Sequence, residues 1–229
     1  MIVDKMNLKQ ILYPKTIQEA RQVQVALLKE LKLTTLKQQP SLIAAVDSAF
    51  LDNQVLAAVC LFSFPELNLL EQQTIIEPHV FPYISGFLSF CEGPAVYKAI
   101  QKLSQKPGLI LVDGQGIAHP RKMGLASYLG IILNTPSVGC AKSRLVGSFE
   151  SPGPQRGSCS EIRHKGDLVG YVLRSRSGVK PIYISPGHLI NQDDSLKLVK
   201  QCLRGFRIPE PLRQAHILSQ KMKSLNRNP

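Results

Sequence analysis

Residues 108–114 read GLILVDG, and no other stretch narrows the possible folds of this chain as much. A short apolar run ends in Asp113, and Gly114 and Gly116 follow at once. Such a run reads as a buried strand that opens into a site at its C-terminal end. His119, Arg121, Lys122, Lys142 and Arg144 lie downstream. An acid at a strand tip among bases and a histidine suits a metal ion that meets a phosphate. Asp113 equally suits a turn residue capping a helix that starts near Pro120, and the local sequence leaves both readings open.

The flanking patterns place this strand in a sheet. Apolar spacing predicts a helix over 16–33, with Ile17, Val23, Leu27, Leu28 and Leu31 on one face. Strands are expected over 42–50 (carrying Asp47), 54–64 and 67–76. Turns at Asp52-Asn53 and Pro65-Glu66 separate them, as in an antiparallel meander. Residues 82–90 read as irregular. A helix over 92–103 follows, with Pro94 in its first turn. The strand at 109–112 leads to a helix over 121–133 and a strand at 137–141. Residues 151–160 read as loop, 168–174 and 181–185 as a small hairpin, and 194–204 and 211–225 as helices.

The order β-β-β-α-β-α-β, with acids on strand one, at the start of the first intervening helix and on the tip of strand four, resembles the ribonuclease H-like fold. The expected class is therefore α/β, a mixed sheet flanked by helices. An N-terminal helix and a C-terminal hairpin and helices complete one domain over 1–229. In that fold the three acids, here Asp47, Glu92 and Asp113, meet at one edge of the sheet. Oxygen ligands from separate elements suit Mg²⁺, or Mn²⁺ as the alternative, better than zinc.

Lys and Arg number 28 against 16 Asp and Glu, a formal charge of +12. This favours a polyanionic partner such as nucleic acid. The five cysteines are odd in number and have no CxxC spacing, which argues for free thiols in a reducing compartment and against a cysteine zinc site. The first ten residues lack an apolar signal-peptide core, and no apolar run is long enough to span a bilayer. A cytoplasmic monomer without membrane contact is the expectation.

Five segments carry a closer resemblance: PYISGFLSFCEGPA (82–95), VDGQGIAHPRKMGLASYLG (112–130), GCAKSRLVG (139–147), PIYISPGH (181–188) and RGFRIPEPLRQAH (204–216). In this order and spacing they resemble the endonuclease V family. The resemblance implies a metal-dependent endonuclease acting on deoxyinosine in DNA. It would cut the second phosphodiester bond on the 3′ side and leave 3′-hydroxyl and 5′-phosphate ends. Inosine-containing RNA is the alternative substrate. Another ribonuclease H-like nuclease and a non-catalytic reader of damaged nucleic acid are the competing classes. By the same resemblance, Asp47, Asp113 and Glu92 hold the metal, and His119, Lys142 and His216 complete the catalytic set. Tyr83 in the loop that starts at Pro82 is the wedge that replaces a displaced base, beside Ile84, and Gly86, Leu88, Gly114 and Gly124 line the base pocket. Two positions depart from the family pattern. Ser85 stands where many members have proline, and Cys91 where many have arginine.

Overall fold

The computed structural model describes residues 6–226, and they open with two helices, α1 (Leu8–Leu12) and α2 (Ile17–Leu28). The signal-peptide reading rests on residues 1–10, of which 1–5 lie outside the described residues. Asn7 and Thr16 accept backbone N–H groups of the first turns, donors that have no partner inside a helix. The helix expected over 16–33 stops at Leu28 for a tertiary reason. The Lys32 N–H donates to His188 Nδ1 at 3.2 Å, and the Lys32 carbonyl accepts from Leu189 at 2.7 Å. The chain is thus drawn out to the sheet. α2 buries Ala20, Val23, Gln24 and Leu27, whereas Ile17 and Leu28, assigned to the buried face from their spacing, are 43% and 38% exposed.

The meander is present as β1 (Leu42–Leu51), β2 (Gln54–Ser63) and β3 (Leu69–Pro78), paired antiparallel. Next comes α3 (Leu88–Gln101), which begins before the expected 92. Phe87 and Phe90 pack with Phe81 and Tyr128, and this aromatic burial extends the helix backwards. Pro94 therefore lies inside α3 rather than in its first turn, and Glu92 sits in the second turn. β4 (Leu109–Val112), α4 (Leu125–Leu133) and β5 (Ser137–Ala141) follow. α4 starts later than the expected 121, because His119 Nδ1 accepts the N–H groups of Arg121 and Met123 and holds that stretch as a turn.

The expected C-terminal hairpin is present and has a third strand beside it. β6 (Cys159–His164), β7 (Asp167–Leu173) and β8 (Ile182–His188) are three strands, and β8 joins β5, so that one eight-stranded sheet runs β3-β2-β1-β4-β5-β8-β7-β6. β6 was hidden in the sequence because it is an edge strand with a single fully buried side chain, Ile162. Helices α5 (Gln192–Gln201) and α6 (Glu210–Leu225) end the described fold. Alternation along the strands divides the core into two layers. Ala44 and Val46 face α2, α3 and α4, while Ile43 and Ala45 face α5 and α6. Among the described residues no helix is long and apolar enough to cross a membrane, and all five cysteines are unpaired.

Candidate active site

The sheet register brings the acids together. β1 and β4 are parallel neighbours with Val46 opposite Val112. The next residue on each is an aspartate, and the Asp113 N–H donates to the Val46 carbonyl at 3.1 Å. Strand alternation then gives β1 two tasks. Asp47 points to the α6 layer, where Ser219 Oγ donates to its carboxylate at 2.5 Å and His216 Nδ1 lies 3.1 Å away. Ser48 points the other way and hydrogen-bonds Glu92 of α3. Asp47, Asp113 and His216 each offer a ligand atom, all within 4.8 Å of one another. Glu92 lies outside that tight group but near enough to feel both aspartates.

The electrostatics show crowded negative charge. Burial pushes the Glu92 carboxyl up to about 7, and the charges of Asp47 and Asp113 push the same way, against the Ser48 hydrogen bond. Asp113 is also raised, first by burial, while its ion pair with Lys142 pulls it back. A buried acid cluster with one lysine partner is poorly neutralised on its own terms. Two carboxylates within reach of one point, with a third beside them, are oxygen donors suited to a hard divalent cation, and the His216 imidazole adds one nitrogen to the group.

Beside the acids opens a cleft of 300 Å³, lined by Gly86, Leu88, Glu92, Asp113, Gly114, His119, Gly124 and Lys142 among others. Its glycines differ in kind. A Cβ at Gly124 would lie 2.2 Å from the Gln115 carbonyl oxygen, so the fold itself excludes a side chain there. A Cβ at Gly114 would meet only ordinary contacts at 3.7 Å, so the protein has room for one. His119 is 4% exposed, and its ring is pushed down to about 4 by burial and by Arg121. It is thus neutral at pH 7. Nδ1 accepts two backbone N–H groups, so the hydrogen sits on Nε2, which faces the Gly86 carbonyl. Tyr83, two residues before Ser85 of the cleft wall, is 64% exposed and lies edge-on to Phe50 with ring centroids 5.4 Å apart. Ile84 is half-buried against the core.

The structure therefore gathers Asp47, Glu92, Asp113, Lys142 and His216 at one place. It sets His119 with Gly86, Leu88, Gly114 and Gly124 around the adjoining cleft. The sequence reading missed Ser48, Ser219, Gln24 and Arg207. Arg207 donates to the backbone carbonyl of Lys142 at 2.7 Å. Ser219, three residues after His216 on α6, and Gln24, the polar member of the Ala20, Val23, Leu27 stripe, share faces with residues the sequence reading used, but that spacing names no partner for either.

A family model for Endonuclease V matches residues 25–217. An Endonuclease V of Rippkaea orientalis is 45% identical over 208 residues, covering 90% of this chain and 91% of its own. The crystal structure of the Endonuclease V from Streptomyces avermitilis superposes with a TM-score of 0.88 at 36% identity, covering 93% of this chain and 96% of that one. Endonuclease V of Ciona intestinalis, in complex with a 24mer DNA containing an inosine followed by a ribo-adenosine, gives a TM-score of 0.78 at 25% identity, over 90% and 97% of the two chains.

Proposed function

The chain belongs to the endonuclease V family, and from that premise we propose that it is a divalent-metal-dependent endonuclease that cuts DNA at the second phosphodiester bond 3′ to deoxyinosine. The observation that carries the reading is the meeting of Asp47, Asp113, His216, Glu92 and Lys142 beside a cleft that Glu92, Asp113 and Lys142 help to line. The strand order β3-β2-β1-β4-β5 supports the ribonuclease H-like reading of the sheet, and the continuous sheet supports one domain.

Asp47, Asp113 and His216, with Glu92 beside them, would hold Mg²⁺ or Mn²⁺. When bound, the ion supplies charge neutralisation at the phosphate and activation of the attacking water. Lys142 stabilises negative charge that develops on the phosphate oxygens. His119 is committed to shaping the pocket at Gly86, so of the two histidines only His216, 46% exposed, stands with the acids. The net charge of +12 supplies salt-sensitive affinity for the backbone, and the cleft supplies the choice of base.

The direct test incubates the protein with matched duplexes with and without one deoxyinosine, in Mg²⁺ and in chelator. A single nick that requires both inosine and metal is the expected result. Product ends are mapped by length and by phosphatase sensitivity. Binding of the inosine duplex without cleavage in Mg²⁺, or in Mn²⁺ put in its place, would instead mark a non-catalytic reader. A matched inosine RNA belongs in the same assay, because the strand bound by the Ciona protein carries a ribo-adenosine after its inosine.

Two substitutions separate the parts of the site. Tyr83→Ala should weaken binding to the inosine duplex by roughly 1–3 kcal/mol, about 5- to 150-fold, if the ring replaces lost stacking. The undamaged duplex should be affected less, since phosphate contacts dominate there. Equal loss on both duplexes would reduce Tyr83 to a structural prop. Gly114→Ala should leave thermal stability within about 0.5 kcal/mol of the parent, yet raise KM for inosine DNA about tenfold or more, because one methyl group in a tight pocket is felt on that scale. An unchanged KM would remove Gly114 from the pocket wall.

A further inference from the structure

The loop that carries Tyr83 is fastened at both ends by residues outside it. At its start, the Cys91 thiol donates to the carbonyls of Phe81 at 3.2 Å and Pro82 at 3.3 Å. At its end, the Gly86 carbonyl accepts from Gln24 Nε2 at 2.9 Å and from Arg121 Nη2 at 2.6 Å. Arg121 Nε donates in turn to Gln24 Oε1 at 2.5 Å, and its guanidinium lies 4.3 Å over the Phe87 ring. Gln24 is 1% exposed, and a buried amide in an apolar helix face is costly unless both its ends are bonded. Both are, one to Gly86 and one to Arg121. Gly86 has φ +81°, and a Cβ there would meet Arg121 Nη2 at 2.8 Å. The left-handed Gly86 end of the loop is thus held from a helix 62 positions away in sequence.

The geometry points to Gln24, acting with Arg121, as a positioning residue for lesion recognition: it holds the Gly86 carbonyl so that the loop presents Tyr83 at the mouth of the cleft. Neither Gln24 nor Arg121 lines that cleft, and neither is a metal-site residue. The inference rests on the wedge reading of Tyr83 given above. Its physical content is preorganisation. A loop already held in its binding shape loses less conformational freedom when it engages a strand.

The test uses Gln24→Leu, which keeps the volume and loses both polar ends, and Gln24→Glu, which keeps an acceptor for Arg121 but cannot donate to Gly86 as a carboxylate. Each is measured for binding to inosine and undamaged duplexes, with 2-aminopurine placed beside the inosine to report unstacking by its fluorescence. Both variants should lower the inosine-to-undamaged affinity ratio about tenfold and reduce the 2-aminopurine signal. They should keep the parent's Mg²⁺-induced rise in Tm. Combined with Tyr83→Ala, the effect should be less than additive, since both act through one loop. If the leucine variant does not fold, Arg121→Lys, which keeps the charge and loses the fork, carries the same comparison. A parent that discriminates inosine together with variants that discriminate equally well overturns the positioning role, and so does full additivity with Tyr83→Ala. A parent that fails to discriminate overturns the wedge reading itself, and the parent measurement alone reveals it.

Discussion

Asp113→Ala should lower single-turnover cleavage of inosine DNA by on the order of 10³-fold or more while leaving binding of the strand largely intact. The acid stands beside Asp47 by sheet register, so its loss removes a ligand atom from the centre of the group. Its effect on stability should have the opposite sign. Asp113 is raised above its ordinary value in the fold. Below that ordinary value it is protonated in folded and unfolded chains alike. As pH rises through the interval up to the raised value, the unfolded chain ionises first and the folded state loses stability. At neutral pH and without metal the group therefore opposes folding, and the alanine variant should melt no lower than the parent. Loss of activity with retained Tm separates a functional acid from a structural one. Nicking, gel shift and melting should be measured on one preparation. Near-normal nicking would remove Asp113 from the metal site. Asp47→Ala should behave alike in activity, and the double variant should lose little more.

Lys142→Met should cost about 10²–10³-fold in the cleavage step, the range found when one preorganised donor to developing charge is removed. The loss should depend on pH. The Lys142 ammonium is what pulls Asp113 back down, so without it the carboxyl rises further and is more protonated at a given pH. A protonated acid is a poor metal ligand. The deficit of the variant should thus deepen as pH falls and narrow as pH rises, with the acidic limb of its rate profile displaced upward. A rate profile at a fixed, sub-saturating metal concentration checks this, and saturating metal should shrink the difference. A variant within about threefold of the parent across the range would place Lys142 among the ordinary surface bases.

What could be read from the sequence divides along physical lines. Strands that bury both faces, such as β4 and β5, announce themselves by unbroken apolar runs, and their carboxyl ends mark the site. The edge strand β6 has one inward side chain and no such run. The early start of α3 depends on an aromatic cluster gathered from residues 81 to 128, which no local window contains. The acids were legible because residue type and element order suffice to place them. Their supports were not. Ser219 meets Asp47 across 172 positions and Gln24 meets Gly86 across 62, and a serine or glutamine within a helix carries no mark of the partner it will find. The histidines illustrate the same limit. His119 and His216 fit one family pattern, yet the fold commits the first to a backbone carbonyl and sets the second beside an aspartate.

The attachment of α6 to Asp47 also has a consequence in time. Asp47 leaves the ribosome with β1, but His216 follows 169 positions later. At roughly 5–20 residues per second that is a delay of about ten to thirty seconds. Throughout that interval the growing chain can lay down its sheet and its basic surface while the acid cluster still lacks its closing helix. The acid cluster is then completed only after the sheet that carries it.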